Sequence, residues 1–519
     1  MITRRNFVRL SAAFAATCAI GRLGRAAGGE YPFPLGVASG QPSPSGFVLW
    51  TRLARAPLSP DGQGGMSEPV SVAWEVTADE AMRNVVQSGT TEAQRRWAHS
   101  VHIEVTGLEP GRPYWYRFTA LGEQSPIGLA RTAPTPDTRL DRLRFGFASC
   151  SNWQHGYFSA YRHMAAEKLD LIIFLGDYIY ESTAGGVNAD KVLRKHDGPT
   201  AVDLTGYRNR YALYRTDPDL QALHVAAPCL MTWDDHEVEN DYANEWSQRV
   251  ETSPEQFLRR RSAAYQAYYE HMPLPASSMP QGNALRLYSR FRFGDLANFS
   301  VLDGRQYRSK QPCELPRYRG GHVAPDSCTE RLDPTRTYLG AEQEEWLFEG
   351  FTHSDVAWNI IAQEQLVAQL RQKDRAGGWG YWTDGWDGFP AARQRMIDAI
   401  AATRVRNPVF IGGDIHSYWT TDLKADFANP SSATIATEFV GTSITSDPPP
   451  REQILAVLPE NPHVRFFESQ YRGYVTVDLN PDRMETRLQV ISDRRDPWAT
   501  VSTLKRFIVE SGKPGVIPD

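Results

Sequence analysis

Four short hydrophobic stretches in the second part of the chain each end in side chains that can bind a metal. The stretches begin at Phe145, Leu171, Leu230 and Val409. The run from Leu171 to Leu175 is unbroken, which predicts a strand buried on both faces, as in a parallel sheet. Sites in open α/β sheets lie outside the carboxyl ends of the strands, so four such ends together predict a metal centre. The candidate ligands at these ends are Cys150, Asp177, Tyr180, Asp235, Asp414 and His416.

The first part of the chain, residues 31–135, has a different pattern. Short alternating or apolar runs between turns predict an all-β sandwich domain. Tyr114, which follows the turn Gly107–Gly111, resembles the tyrosine corner of fibronectin type III domains, in which the tyrosine bonds back to the preceding chain. No acidic or histidine cluster occurs here, so a structural role is favoured over a catalytic one. A proline-rich linker, residues 134–138, ends this segment.

From about residue 140 onward, strand and helix patterns alternate, which predicts an α/β domain over residues 140–519. A long loop is expected over Thr183–Thr205, and a short closing helix over Val501–Glu510. Arg208 and Arg210, in an aromatic and basic helical segment, are candidates for phosphate binding, although packing is the commoner role of such a segment. Other helices are expected at Tyr157–Lys168, Tyr207–Tyr214, Pro254–His271 and Ala391–Thr403.

Composition narrows the function classes. The 519 residues carry a formal net charge of -5, and no basic stripe suggests nucleic acid. No apolar run after the N-terminal segment is long enough to span a membrane. The first 27 residues place Arg4-Arg5 before a short apolar stretch and the small residues Ala26-Ala27, which predicts a cleaved twin-arginine signal. The protein would then be periplasmic or secreted, with the twin-arginine export machinery as a partner; the alternative is an ordinary basic start before a helix.

The cysteines fit an exported protein. Cys313 and Cys328 lie in a polar loop rich in Pro, Gly and Arg, and in an oxidising compartment they are a plausible disulfide. Cys229 precedes an apolar run and is expected in the core. Cys150 could also be a small buried hydrophobe, but its place at the end of a core strand favours a ligand.

The spacing of the polar residues adds chemistry to these strand ends. A carboxylate at Asp177 can bridge two cations, and Tyr180, three residues later, can reach the same metal. Asp414 and His416 are two residues apart, so in an extended segment both side chains share one face. The acidic run after Leu230, which includes Asp235, would repel itself without cations. Taken singly, each motif could equally be a surface turn.

Together the motifs Gly176-Asp177-x-x-Tyr180, Asp235-His236-Glu237 and Gly413-Asp414-x-His416 resemble those of the calcineurin-like and purple acid metallophosphatases. Three departures are informative: Cys150 replaces an aspartate, Asp235 an asparagine and Asp414 a histidine. Gln363 falls about where a lone histidine is usual. With these departures the chain resembles the alkaline phosphatase D (PhoD-like) family over nearly its whole mature length. The resemblance implies an α/β fold with a metallophosphatase-type β-sheet sandwich flanked by helices.

The resemblance also implies a cofactor set. Fe(III) would be held by a cysteine, an aspartate, a tyrosine and a histidine, which here match Cys150, Asp177, Tyr180 and His416. Ca²⁺ would lie nearby, since the oxygen ligands of Asp235 and Asp414 suit a hard cation; Zn²⁺ or Mn²⁺ are alternatives. His236 matches a histidine that is not a ligand and that stabilises the phosphoryl oxygens or protonates the leaving group.

The motifs and the resemblance leave three candidate functions. The first is hydrolysis of phosphate monoesters and diesters by in-line attack at a multi-metal centre. The second, within the same chemistry, is a phospholipase D-like phosphodiesterase that acts on phospholipid head groups. The third is a non-catalytic binding module, suggested by the fibronectin-like segment. The complete set of site residues argues against the third, because a degenerate relative is expected to have lost at least one of them.

Overall fold

The computed structural model describes residues 31–183 and 192–518. The predicted signal peptide, residues 1–27, lies outside the described residues, as does part of the loop predicted over residues 183–205. Among the helices that are described, none combines the length and the apolar character needed to cross a bilayer.

The N-terminal segment is built from β-strands, as the alternating pattern predicts. These are β1 (Val37–Ser43), β2 (Gly46–Arg52), β3 (Val70–Thr77), β4 (Val85–Ala93), β5 (Ser100–Val105), β6 (Pro113–Ala120), β7 (Glu123–Gln124) and β8 (Gly128–Arg131). β3, β4, β6, β7 and β8 form one sheet. Its inner face packs on β1, β2 and β5 around Phe47, Leu49, Val72 and Phe118. The Tyr114 hydroxyl accepts a hydrogen bond from the Glu109 N–H at 3.1 Å, which is the expected backward bond.

Strands and helices alternate after this segment. The strands are β9 (Leu143–Ala148), β10 (Leu171–Leu175), β11 (Cys229–Thr232), β12 (Ser289–Phe293), β13 (Ala297–Val301), β14 (Val323–Pro325), β15 (Trp358–Ala362), β16 (Arg371–Lys373), β17 (Trp379–Trp382), β18 (Pro408–Gly412), β19 (Tyr418–Lys424), β20 (Thr434–Val440), β21 (Val464–Glu468), β22 (Arg472–Leu479), β23 (Arg483–Ile491), β24 (Val501–Glu510) and β25 (Lys513–Pro518). The helices are α1 (Ser159–Ala165), α2 (Leu204–Arg215), α3 (Pro218–Ala226), α4 (Pro254–His271), α5 (Ala341–Thr352), α6 (Pro390–Thr403) and α7 (Arg451–Val457).

Two large mixed sheets pack face to face. The first has ten strands in the order β25-β24-β23-β22-β9-β10-β11-β1-β2-β5, and the second has seven in the order β12-β13-β15-β18-β20-β19-β21. Apolar side chains of both, including Phe145, Ile173, Phe299 and Ile411, form the core between them. α1 to α4 cover the outer face of the first sheet, and α5 and α6 cover that of the second. The α/β prediction is therefore confirmed.

The ten-stranded sheet joins the two parts of the chain. β1 pairs in parallel with β11 through Gly40 and Cys229. A Cβ on Gly40 would lie 2.7 Å from the Cys229 carbonyl oxygen, so the contact depends on the missing side chain. β2 and β5 continue the same sheet. One layer of the N-terminal sandwich is thus the edge of the ten-stranded sheet, a continuity that the sequence pattern did not predict.

The helix expected at Val501–Glu510 is a strand. β24 pairs in antiparallel fashion with both β23 and β25, so its backbone groups are satisfied within the sheet. Its β-branched residues and the alternation near its end, where Phe507 and Val509 are buried, fit that conformation. A Trp-rich segment contains a further strand, β17, which forms a three-stranded sheet with β14 and β16.

Candidate metal centre

The predicted ligands come from strand ends of both large sheets. Cys150, Asp177 and Asp235 follow β9, β10 and β11, whereas Asp414 and His416 follow β18. The sheets meet here through a parallel bridge between Ser149 and Ser443. The carboxyl ends of the core strands therefore converge on one region, as the apolar runs predicted.

Four of these residues adopt the left-handed backbone conformation, which is uncommon outside glycine. The φ angles are 61° for Cys150, 51° for Asp177, 60° for Asp414 and 53° for His416. Such conformations cost free energy and cluster at functional sites, where the surrounding structure holds them in place. Here each turn redirects the chain at the end of a buried strand, so that the side chain lies at the site.

The first ligand group is compact. One ligand atom from each of Cys150, Asp177 and His416 lies within 4.8 Å of the others. The Tyr180 hydroxyl is 2.7 Å from the Asp177 Oδ2 and 3.2 Å from the His416 Nε2. Ser446, which the sequence reading did not assign, donates a hydrogen bond to this hydroxyl at 2.6 Å. Sulfur, phenol, carboxylate and imidazole thus converge, a donor set that suits a transition metal.

His416 is held in the tautomer that a metal requires. Its Nδ1 is 2.7 Å from the backbone carbonyl oxygen of Asp447. A carbonyl oxygen can only accept a hydrogen bond, so the Nδ1 must carry the proton. Burial, followed by the nearby Arg472 guanidinium, lowers the pKa of His416 to about 3. The ring is therefore neutral, and the Nε2 lone pair is available on the side of Asp177 and Tyr180.

A second group shares Asp177 with the first. Asp177, Asp235 and His236 also offer ligand atoms within 4.8 Å of one another. The buried Asp235 Oδ1 has no hydrogen-bond partner among the described residues. Because a buried carboxylate oxygen is normally satisfied, this orphaned atom fits a cation that is to be held there. Asp177 lies where one carboxylate could serve two cations.

The pKa values of the buried acidic groups also indicate a site for cations. Burial, together with Asp235 and Asp234, raises the pKa of Asp177 well above its ordinary value. Burial and the same two neighbours raise the pKa of Asp414 in the same direction. Burial and the Asp177 carboxylate raise the pKa of the Cys150 thiol. Positive ions among these groups would reverse the shifts, so the residues fit a metal centre.

His236 forms a pair with Glu181. Its Nδ1 is 2.7 Å from the Glu181 Oε2, and both side chains are largely buried. Burial lowers the pKa of His236, but the carboxylates of Glu181 and Asp235 outweigh it and raise the pKa well above the ordinary value. The histidine is thus held as an imidazolium. The sequence reading missed Glu181, although its position directly after Tyr180 was a usable signal.

Glu237 organises the backbone around the ligands. Its carboxylate accepts hydrogen bonds from the N–H groups of Asp177, Tyr178 and Asp234. Gly176 makes the approach of the two strand ends possible, since a Cβ there would lie 2.5 Å from the Asp234 nitrogen. The sequence motif included Glu237 but gave it no role; the structure shows that it ties the end of β10 to that of β11.

A third acidic group lies behind the second. Asp235, Asp241 and Asp384 offer oxygens within 4.8 Å of one another. The buried Arg305 guanidinium is 2.8 Å from the Asp384 Oδ2 and 3.6 Å from the Asp235 Oδ2. This arginine already compensates much of the negative charge. We therefore infer that Asp241, Asp384 and Arg305 hold the Asp235 side chain in place and do not form a third metal site.

Two sequence expectations are corrected by the placement of Arg208 and Arg210. Arg208 is buried and forms a salt bridge with Glu270. Arg210 donates hydrogen bonds to the backbone carbonyls of Tyr180 and Glu181. Neither arginine lines the cavity at the site, so in this structure their charges serve the fold, and Arg210 holds the segment that carries the site tyrosine.

Gln363, at the position where metallophosphatases usually have a histidine, is also directed into the core. Its Oε1 accepts hydrogen bonds from the Gln365 N–H and from the Trp386 indole N–H. Cys229 is buried, as expected, and the predicted disulfide between Cys313 and Cys328 is confirmed.

The site opens into a cavity of about 470 Å³. Its floor carries Asp177, Asp235, His236, Asp414 and His416. One side is formed by Tyr318, Gly321, Gln372 and Trp382, which belong to the small sheet of β14, β16 and β17 and to the loop before it. The Cys313–Cys328 disulfide closes that loop. We call residues 313–328 and 371–382 the side wall.

Comparisons with known proteins agree with this geometry. Residues 145–488 match the model of the PhoD-like phosphatase family, and residues 17–134 match that of the PhoD-like phosphatase N-terminal domain. The chain therefore belongs to the PhoD-like phosphatase family and is a phosphoric ester hydrolase.

Individual relatives support the assignment. The chain is 44% identical to alkaline phosphatase D of Bacillus subtilis (strain 168) over 491 residues, which cover 94% of this chain and 82% of the relative. A solved structure described as the structure of PhoD superposes with a TM-score of 0.87 at 44% identity. The superposition covers 94% of this chain and 92% of the other. The sequence resemblance to this family is thus confirmed.

Proposed function

We propose that the protein is an exported, metal-dependent alkaline phosphatase that hydrolyses phosphate monoesters and diesters at a multi-metal centre. One observation carries the proposal: Cys150, Asp177 and His416 converge with Tyr180, and Asp177 is shared with a second group that contains Asp235. A carboxylate between two such groups suits a pair of cations. The catalytic segment, residues 140–519, would supply all of these residues.

The donor set suggests which ions are bound. Cys150, Asp177, Tyr180 and His416 would hold Fe(III), because thiolate and phenolate suit iron. Asp235 and Asp414, with Asp177, would hold Ca²⁺, since oxygen ligands suit a hard cation. Zn²⁺ or Mn²⁺ could take these places instead. Bound cations would neutralise charge on the phosphoryl oxygens and activate the attacking oxygen.

The chain's own residues would manage the proton. His236 lines the cavity, and Glu181 holds its Nδ1 and keeps the ring protonated. The Nε2 proton is then available to the leaving alcohol oxygen, which needs a proton as the P–O bond breaks. The Tyr180 ring packs against the His236 ring at a tilt of 33°, with 4.1 Å between centroids, and limits its rotation.

The N-terminal segment and the disulfide support the proposed export. The arginine pair before a short apolar stretch supports the twin-arginine route, and a disulfide persists in an oxidising compartment. We therefore place the protein in the periplasm or outside the cell.

A panel of three substrates, combined with metal analysis, tests the function. The purified protein should release phosphate from p-nitrophenyl phosphate, and p-nitrophenol from bis-p-nitrophenyl phosphate, with both activities lost on chelation. Iron should be present. Activity on phosphatidylcholine micelles alone would favour the phospholipase D-like alternative, and full activity in metal-free protein would refute the metal centre.

A further inference from the structure

A second cavity adjoins the site cavity and contains none of the proposed metal ligands. Its volume is about 880 Å³, larger than that of the site cavity. Four residues line both cavities: Gly321, Gln372, Trp382 and Ile454. The side wall, together with Ile454 of α7, therefore forms the boundary between the two cavities. We call this space the distal cavity.

The distal cavity is apolar with a basic rim. Val323, Ile454 and Val457 contribute apolar surface, and Trp382, 37% exposed, lies at the border with the site. Lys373 and Arg375 line the same space. A ligand that fits these surfaces has an apolar body and a negatively charged group.

The two basic side chains of the rim differ from the neighbouring Arg371 in their ion pairing. Arg371, on the same strand as Lys373, forms salt bridges with Asp326 and Glu460. Within residues 31–183 and 192–518, by contrast, no carboxylate pairs with Lys373 or Arg375. The Lys373 ammonium lies 3.5 Å from the centroid of the Trp379 ring, which fixes its place.

The carboxylate of Asp374, the acidic residue of the rim, is hydrogen-bonded within its own turn. Asp374 accepts hydrogen bonds from the backbone N–H groups of Ala376 and Gly378 through its Oδ1. This turn holds Arg375 beside Lys373. The result is a local excess of positive charge next to an apolar surface. Only the side wall and Ile454 lie between this surface and the cavity proposed to bind phosphate esters.

We propose that the distal cavity is a specificity subsite for the alcohol part of the substrate, and that Lys373 and Arg375 bind a second anionic group on that alcohol. The proposal rests on the proposed function. The preferred esters would carry a sulfonate, carboxylate or second phosphate several bonds from the scissile phosphate. Trp382 would contact the apolar linker between the two charged ends.

A series of alkyl phosphate esters tests this subsite. One set has a terminal sulfonate and the other a neutral methyl sulfone, with linkers of increasing length, and released phosphate is measured. Wild-type protein should prefer the sulfonate set at one linker length, by about fivefold in kcat/KM, the effect of two partly exposed ion pairs. The preference should fall as salt is raised.

Variants assign the preference to the rim. The double substitution Lys373→Gln with Arg375→Gln should bring the sulfonate-to-sulfone ratio close to one, through the KM of the sulfonate esters. A matched control, Lys505→Gln with Arg139→Gln, removes the same charge from positions that line neither cavity and should keep the wild-type ratio.

The outcomes separate the two proposals. Equal hydrolysis of both sets at every linker length, or an unchanged ratio in the rim variant, overturns the subsite and leaves the phosphatase function intact. Failure of wild-type protein to hydrolyse any ester overturns the proposed function and the subsite with it.

Discussion

The floor and the side wall of the site cavity are built in opposite ways. The floor residues follow buried strands of two packed sheets, and their positions are set by the core. The side wall is a three-stranded sheet of short strands, held by a disulfide and by polar contacts. A rigid floor suits chemistry that needs fixed ligands, whereas a wall outside the core can change without loss of that chemistry.

The difference predicts that a change of charge in the floor is severe and the same change in the wall is mild. Asp177→Asn should lower kcat by more than about 10³-fold, because one fewer negative charge weakens both cation groups. Asp326→Asn, the matched change in the wall, removes an exposed salt bridge with Arg371 and should have little effect. Steady-state kinetics and metal content check both. Near-normal activity in Asp177→Asn would contradict the proposal that the Asp177 carboxylate serves two cations.

His236 sharpens the comparison within the floor. His236→Ala should lower kcat by about 10²–10⁴-fold, the usual contribution of a general acid, while the metals stay bound. Loss of metal from this variant would instead make His236 a ligand and would enlarge the floor's ligand set.

Tyr180 provides a test of the ion proposed for the group of Cys150, Asp177, Tyr180 and His416. A tyrosinate bound to Fe(III) absorbs visible light, so the purified protein should be coloured. Tyr180→Phe should abolish this band and weaken iron binding, while the fold is kept, because only one hydroxyl is removed. Cys150→Ser should shift the spectrum, since a hydroxyl is a poorer ligand than a thiolate. A colourless and fully active protein would argue for Zn²⁺ or Ca²⁺ alone.

Glu181 acts through His236, so its effect should be smaller. Glu181→Gln removes the main carboxylate that raises the pKa of His236, and kcat should fall by no more than about 10²-fold. The acid form of His236 would then be lost at lower pH, and the basic limb of the pH profile should move to lower pH. A profile identical to that of wild-type protein would exclude the pairing as functional.

The disulfide is the corresponding test of the wall. Replacement of Cys313 and Cys328 by serine should lower the free energy of unfolding by about 3 kcal/mol, the loop-closure effect for bridged residues 15 positions apart. The kcat for p-nitrophenyl phosphate should change far less than in any floor variant. Denaturant unfolding measures the first effect; a loss of activity as large as that of His236→Ala would make the wall part of the catalytic machinery.

The sequence predicted those parts of the site that depend on local pattern. Unbroken apolar runs marked the strands, and the polar residues after them were the ligand candidates. The pairing of Glu181 with His236 was missed because it joins positions 55 residues apart. The charge of Arg208 and Arg210 suggested a ligand, but it could not show that Glu270 and backbone carbonyls already use both side chains.

In the fold, too, local features were predictable from the sequence and contacts between distant positions were not. β10 was predicted from its unbroken apolar run, α4 from its helical periodicity, and the disulfide from the composition of its loop. The helix predicted at the position of β24 is wrong, because a ten-residue run of mixed polar and apolar residues does not distinguish a helix from a strand without its strand partners. The pairing of β1 with β11 joins residues nearly 190 positions apart, and no local signal encodes it.

That pairing has a consequence for the independence of the catalytic segment. A chain that began at residue 140 would lack β1, β2 and β5, and the edge of β11 would be exposed. Since β11 is apolar and buried along its whole length, its unpaired N–H and C=O groups would offer a template for other chains. The N-terminal segment therefore acts as a cover for an aggregation-prone edge. Relatives that rearrange their domains would have to keep this cover or replace it.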